Sequence, residues 1–278
     1  MRLIRCRENG KDRLGRLDGD EVTLLQATGD CLSSLIASRA MVSAGPSRSL
    51  GGLELLAPIR LGRFFCIGLN YSAHVAETAR DPSERPSVFL RSADSFAAPG
   101  AALWRPHAST HFDYEGELGC VIGRAGRQIS ECDALDHVFG YTCVMEGSVR
   151  DFQKHSVGAG KNFERSGAIG PWIVTKDEAP AWDAMRLRTR LNGEVVQEAG
   201  TDTMIWGVPE IIAYLSQITT LLPGDVISTG TPAGVGARRT PPLWMKAGDR
   251  VEVDIDGVGT LFNGVVDEPA PAAIAVPA

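Results

Sequence analysis

The chain lacks several features that would place it in a class at once. It has no run of about 18 consecutive apolar residues, the length a membrane-spanning helix needs, so a membrane is not an expected partner. The stretch MRLIRCRENGKDR carries no apolar segment of the signal-peptide kind, which makes the cytoplasm the expected compartment. Six cysteines, at positions 6, 31, 66, 120, 132 and 143, form no C-x-x-C pair and read as reduced thiols in core-forming segments. His107, His111, His137 and His155 show no zinc spacing and read as structural or exposed. There is no P-loop, no dinucleotide fingerprint between a strand and a helix, and no tandem repeat. An excess of basic charge is missing too: 28 Lys and Arg against 34 Asp and Glu leave a formal charge of -6. That balance argues against a surface for nucleic acid, while a local basic pocket for a small anion stays open.

What is present is an ordinary globular composition, 44% apolar and 22% charged over 278 residues. The length allows one sizeable core with a small appended unit. Residues 1–57 read as that unit: a strand over MRLIRC, a turn around Glu8 to Lys11, a short strand around Arg16–Leu17 and a helix in the Thr28–Ser38 region. GPSRSLGG, 45–52, reads as a connector. Residues 58–268 alternate short strands with few helices. The pattern includes a buried strand in RFFCIGLNY, a helix in AHVAETAR, strands in SVFLR, YEGELGCVIG and VFGYTCVM, and an Asn192-Gly193 hairpin in LNGEVVQ. This favours a β-rich α+β fold over a doubly wound sheet. Residues 269–278, with prolines and small side chains, read as a loose tail.

Chemistry concentrates in four places. In HFDYEGELG, Glu115 and Glu117 flank one glycine; in an extended chain both carboxylates reach the same face, beside Asp113, and should repel unless that face is solvated or a cation sits against it. Glu146, where an apolar strand gives way to EGSVRD, is a possible third oxygen ligand or an ordinary turn acid. Three carboxylates suit a hard divalent ion and leave positions for water and a chelating substrate. His74 and Glu77, three apart, share a helix face, so Glu77 can orient His74 for water activation; a solvated surface pair is the alternative. The neighbouring DPSER stretch would suit a lid. Arg150, Gln153 and Lys161 can bind a carboxylate or a developing enolate, with Lys161 carried in the glycine-rich GAGKNF and Asp151 expected to anchor Arg150. Finally STGTPAGVG, 228–236, offers Thr229, Thr231 and backbone donors that could receive a small carboxylate, or simply form a tight turn.

Together the segments FFCIGLNYSAHVAE, PSVFLRSADSF, FDYEGELGCVIG, DALDHVFGYTCVMEGSVRDFQKH, GAGKNF, IGPWIVT, LNGEVVQ, TDTMIW, LLPGDVISTGTPAGVG and KAGDRVEVDIDGVGTLFN resemble the fumarylacetoacetate hydrolase family, in family order from about residue 62 to 266. The resemblance implies a mixed β-sandwich roll of that family's C-terminal type behind a small N-terminal domain, assembled as a homodimer. It implies Mg²⁺ or Mn²⁺, with Ca²⁺ possible, on Glu115, Glu117 and Glu146. His74 and Glu77 match the family's His-Glu dyad, Gln153 and Lys161 its substrate and enolate contacts, Thr231 a threonine near the substrate carboxylate, and Arg150 a further polar slot that could brace the loop. The implied substrate is a small 2-oxo acid. The leading activity is hydrolysis of the C3–C4 bond of an acylpyruvate-type 2,4-dioxo acid; decarboxylation of an oxaloacetate-type acid, isomerisation of a hydroxydienoate and a metal-binding homologue without turnover are the alternatives. The chain departs from the family at one point. Where the family commonly has Asn-Asp-Val-Ser-Ala-Arg-Asp, it has Met145-Glu146-Gly147-Ser148-Val149-Arg150-Asp151, which lengthens the third ligand by one methylene and gives the backbone room at Gly147.

Overall fold

The computed structural model describes residues 1–26, 32, 36, 43–79, 81 and 83–270. Near one edge of its large sheet lies the apolar run expected in RFFCIGLNY. The strand Phe64–Gly68 pairs in parallel with Val226–Ser228 and antiparallel with Ser87–Arg91. Val226–Ser228 then pairs with Gly116–Ile122, which pairs antiparallel with Val138–Met145, which in turn pairs with Gly167–Thr175. Arg2–Glu8 joins Gly167–Thr175 through Leu3 and Ile173, so Lys11–Asp18, Glu21–Gln26 and Ser43–Ser49 extend the same sheet. With Glu54–Leu56 and Phe96–Ala97 off the main path, twelve described strands belong to it.

A five-stranded sheet of Glu194–Gly200, Arg186–Leu191, Arg250–Ile255, Gly259–Asp267 and Leu103–Arg105 packs on one face. Its strands bury alternate residues, as a sheet with one wet face must. Gly116–Ile122 is buried throughout because it is covered on both sides. Leu118, Cys120 and Ile122 join the core containing Leu187, Val253 and Leu261. Val121 joins a second core with Leu3, Phe64 and Ile169. The alternation of side chains therefore turns Gly116 toward the five-stranded sheet and both flanking glutamates away from it. Gly116 has no room for anything larger, since a β-carbon there would collide with Thr189 Oγ1.

The Asn192-Gly193 hairpin forms as expected, with φ of 54° and 88° at its two turn residues, both in the left-handed region that type I′ turns require. Asn9-Gly10 makes an equivalent turn, and the strand expected around Arg16–Leu17 runs the full length of Lys11–Asp18. The connector reading of 45–52 is corrected: Ser43–Ser49 is a strand, followed by a short 3-10 turn over Leu50–Gly52. Composition misleads there because the strand lies at the sheet's edge and its register shifts between Thr23 and Leu25, where Gly45 and Pro46 fall together opposite Leu24. Its partner Glu21–Gln26 is a further strand that the pattern reading passed over. The expected helix over Thr28–Ser38 falls, apart from residues 32 and 36, outside the described residues, as do 271–278 of the tail, Arg80, and Pro82 within the DPSER stretch expected to suit a lid.

Candidate metal centre and active site

The register between Gly116–Ile122 and Val138–Met145 assembles the acidic cluster. Gly116 lies opposite Met145, and one step further the Glu146 N–H donates to the Glu115 carbonyl at 2.8 Å. Glu146 thus stands across from Glu115, on the face to which Glu117 also points. One carboxylate oxygen from each of the three lies within 4.8 Å of the others, and the residues are only 3%, 2% and 1% exposed. The solvated-face alternative is therefore excluded for all three. The longer Glu146 reaches the cluster, and a β-carbon at Gly147 would collide with the Ser166 carbonyl oxygen, so this backbone path needs glycine there. Met145 points the other way, into the core shared with the five-stranded sheet.

Cations are packed against the cluster. Lys161 Nζ donates to Glu115 Oε2 and, at 2.6 Å, to Glu146 Oε2. The sequence suggested a flexible loop for Lys161; it is instead the buried last residue of the helix Val157–Lys161. Arg150 donates to Asp113 Oδ2 at 2.8 Å, Glu115 Oε1 at 2.6 Å and Gln153 Oε1 at 2.9 Å. Asp151, expected to anchor Arg150, accepts from Ser109 Oγ at 2.6 Å. Burial opposes ionisation of Glu115, but Arg150 and Lys161 outweigh it and hold its carboxyl well below the usual range. Glu117 lacks such contacts, and burial followed by the Glu146 charge pushes it well above the usual range. Glu146 Oε1 is buried without a hydrogen-bond partner among the described residues. An oxygen left bare in this way, beside two more carboxylates of an all-oxygen donor set, is what a hard divalent cation requires, so the residues fit such an ion. The chain thus holds a buried triad able to coordinate a divalent cation.

His74 and Glu77 lie on the helix Ser72–Thr78, with Nδ1 and Oε1 2.7 Å apart. A carboxylate only accepts, so the proton sits on Nδ1 and Nε2 is left as the acceptor. His74 is 5% exposed, which excludes a solvated pair. Burial works against the Glu77 charge, but the hydrogen bonds from His74 and the Gly234 N–H prevail and lower its pKa.

The glycine-rich loop does receive carboxylates, but those of the protein itself. Ser228 Oγ and the Gly230 N–H donate to Glu117, the Gly234 N–H to Glu77, and the Gly236 and Ala237 N–H groups to Asp113. No spacing rule could have named those partners, because the strand, helix and turn they belong to are distant in sequence. Ser148, which donates to Glu115 at 3.0 Å, and Arg91, which grips the Gly147 carbonyl and Ser166 from a fully enclosed position, were likewise missed. Arg91 lies in SVFLR, where the strand pattern offered no sign of a buried cation.

One cavity of about 390 Å³ collects these groups. His74, Glu115, Glu117, Glu146, Arg150, Gln153, Lys161 and Thr231 all line it, with Phe89, His111 and Trp244 among the remaining walls. Glu77 stands behind His74, outside the lining. Gln153 keeps its oxygen on Arg150, and its NH₂ group has no partner among the described residues. Thr231 Oγ1 is engaged with protein, donating to the Gly116 carbonyl at 3.0 Å. Among the described residues no helix is long and apolar enough to cross a membrane.

The family model for the fumarylacetoacetate (FAA) hydrolase C-terminal domain matches residues 63–266. The mitochondrial oxaloacetate tautomerase of Xenopus laevis is 40% identical over 223 residues, 78% of this chain and 70% of that protein. The crystal structure of 2-hydroxyhepta-2,4-diene-1,7-dioate isomerase from Mycobacterium marinum superposes with a TM-score of 0.82 at 32% identity, covering 97% of this chain and all of the other. The fumarylacetoacetate hydrolase of Exiguobacterium antarcticum gives 0.87 at 33% identity, covering 96% of this chain and 100% of its own.

Proposed function

The chain belongs to the fumarylacetoacetate hydrolase family, and from that premise we propose that it is a divalent-metal-dependent hydrolase cleaving the C3–C4 bond of an acylpyruvate-type 2,4-dioxo acid. The supporting observation is that His74, oriented by Glu77, shares one cavity with the Glu115, Glu117 and Glu146 cluster. Mg²⁺ or Mn²⁺, with Ca²⁺ as a further candidate, would be held by the three glutamates and would supply Lewis-acid polarisation of the substrate's C1 and C2 oxygens.

His74 Nε2 takes a proton from water, and the hydroxide adds to the C4 carbonyl. As the adduct collapses, the C3–C4 bond breaks, C4 leaves as a carboxylic acid, and the electron pair passes to the C2–C3 unit as a pyruvate enolate. The proton held on His74 returns to C3. One dioxo acid and one water give one carboxylic acid and one pyruvate. The enolate is the costly species, so the site's positive charge should be spent on it. Lys161 has three N–H groups and gives two to Glu115 and Glu146; the third is assigned to the enolate. The NH₂ of Gln153 is assigned to the C4 oxygen. Arg150 is assigned a bracing role, since three of its five N–H groups hold Asp113, Glu115 and Gln153.

Cations for a small 2-oxo acid stand on the cavity wall, where Lys154 and Arg238 join Arg150 and Lys161. A second reading, proton transfer in an oxaloacetate-type or hydroxydienoate acid, is supported by the similarity to the frog tautomerase; His74 would then move a proton without water attack. Decarboxylation uses the same electron sink. A homologue without turnover is disfavoured by His74 and Lys161 both lining the cavity.

The test is incubation of purified protein and Mg²⁺ or Mn²⁺ with acylpyruvates, oxaloacetate and hydroxymuconate-like acids, with products identified. Pyruvate and a carboxylic acid from an acylpyruvate support the hydrolase. Enol–keto exchange alone supports the tautomerase, and no turnover with any divalent metal overturns both. The homodimer implied by the family is tested by sedimentation of the same preparation.

A further inference from the structure

The strand Gly116–Ile122 loses its neighbour before it reaches the two glutamates. Val226–Ser228 pairs with it only from Val121 to Gly119, after which Thr229 adds one bond, its N–H donating to the Leu118 carbonyl at 3.0 Å. The N–H and carbonyl of Gly116 therefore face a side with no strand, and buried backbone groups must find partners. Two side chains supply them. Gln197 reaches over from the five-stranded sheet and accepts the Gly116 N–H at 2.9 Å. Thr231 Oγ1 donates to the Gly116 carbonyl at 3.0 Å, and Gln197 Nε2 closes the ring by donating to Thr231 Oγ1 at 2.8 Å. A further bond from Nε2 to the Pro232 carbonyl, 2.9 Å, fixes the amide's orientation. Gln197 is 2% and Thr231 4% exposed, so water does not compete for these bonds.

We propose that Gln197 and Thr231 are positioning residues that set the separation of Glu115 and Glu117 for a divalent cation, an inference that rests on the metal-site reading above. The ring grips the peptide groups on both sides of Gly116, and those peptides carry the two glutamates. The backbone at that residue cannot turn without breaking a buried bond. The Thr231 hydroxyl proton is directed at the Gly116 carbonyl, so the hydroxyl serves the metal strand from the cavity wall.

Calorimetric titration of the purified full chain with Mn²⁺, and then with oxalate at saturating Mn²⁺, tests this. Thr231→Ser keeps the hydroxyl and should bind Mn²⁺ as the wild type does. Thr231→Val and Gln197→Ala should weaken Mn²⁺ by about 10–100-fold, the usual cost of losing a group that orients a ligand, while oxalate affinity at saturation is unchanged. Thr231→Val with unchanged Mn²⁺ affinity and weakened oxalate would make Thr231 a substrate contact and overturn the proposal. Lower melting temperatures with unchanged Mn²⁺ affinity in both variants would reduce the ring to structural support and overturn it as well. Absence of Mn²⁺ binding by the wild type would overturn the metal-site reading itself. Thr231→Val removes only one hydroxyl and keeps the test open if Gln197→Ala does not fold.

Discussion

Glu146 sits directly across the strand pair from Glu115, its N–H bonded to the Glu115 carbonyl at 2.8 Å, and the two side chains share the Lys161 ammonium. Two carboxylates far apart in sequence are thus held together by backbone register, and a third joins them through the period of two along one strand. Like charges are forced together by the ladder and must be balanced by cations.

Glu115→Gln should abolish or strongly weaken Mn²⁺ binding, and His74→Ala should spare it. Glu115 belongs to the triad, whereas His74 faces the same cavity and is tied to Glu77. Loss of general-base catalysis should lower kcat in His74→Ala by about 10²–10⁴-fold. Titration calorimetry and steady-state kinetics on both variants check the division of roles; equal loss of metal in both would refute it.

Gly147→Ala should destabilise the fold, because the new β-carbon meets the Ser166 carbonyl, a backbone atom that cannot swing aside. Overpacking of this kind costs about 1–3 kcal/mol. Urea denaturation measures it, and a variant as stable as the wild type would show that the Glu146–Gly147 backbone can shift freely.

These particulars show where the sequence speaks and where it stops. Alternation in YEGELGCVIG foretold that Glu115 and Glu117 share a face, and the Asn192-Gly193 turn foretold its hairpin, because both are local consequences of backbone geometry. The Ser43–Ser49 strand was hidden, since an edge position tolerates the same glycine, serine and proline that mark loops. Burial of Lys161, the grip of Arg91 on Gly147 and the Gln197 bridge were hidden for another reason. Each depends on which distant segments the sheets bring together, and nothing in a polar residue's immediate neighbours records that.

Glu77→Gln should alter both catalysis and the pH dependence of stability. A glutamine amide can donate to His74 Nδ1, which moves the ring proton to Nε2 and removes the base; kcat should fall by about 10²-fold or more. In the wild type the folded-state pKa of Glu77 is depressed, so its charge contributes stability above the ordinary carboxylate pKa of about 4.3 and loses that contribution as the pH falls through the lower folded value. Glutamine has no such contribution at any pH. The stability gap between wild type and variant should be constant near neutrality and close in acid. Denaturation across that range measures it, and a gap that widens in acid would contradict the sign.

Lys161→Met should turn a modest metal dependence of stability into a large one. In the wild type the ammonium balances Glu115 and Glu146 in a place where it is 2% exposed. Removing one member of a buried ion pair costs about 3–5 kcal/mol, since the partner charge stays desolvated without compensation. A divalent ion at the triad would restore the missing positive charge, and any ligand that binds only the folded state adds about 2.7 kcal/mol at a concentration 100 times its Kd. Repulsion relieved by the ion is greater in the variant, so Mn²⁺ should raise its melting temperature more than that of the wild type, and chelation should reverse the rise. Turnover should stay low even with Mn²⁺, because the cation assigned to the enolate is gone. A melting temperature indifferent to Mn²⁺ in Lys161→Met would mean that the three glutamates do not take up the ion, whereas a full thermal rescue with wild-type turnover would remove Lys161 from the chemistry and leave it only a counter-charge.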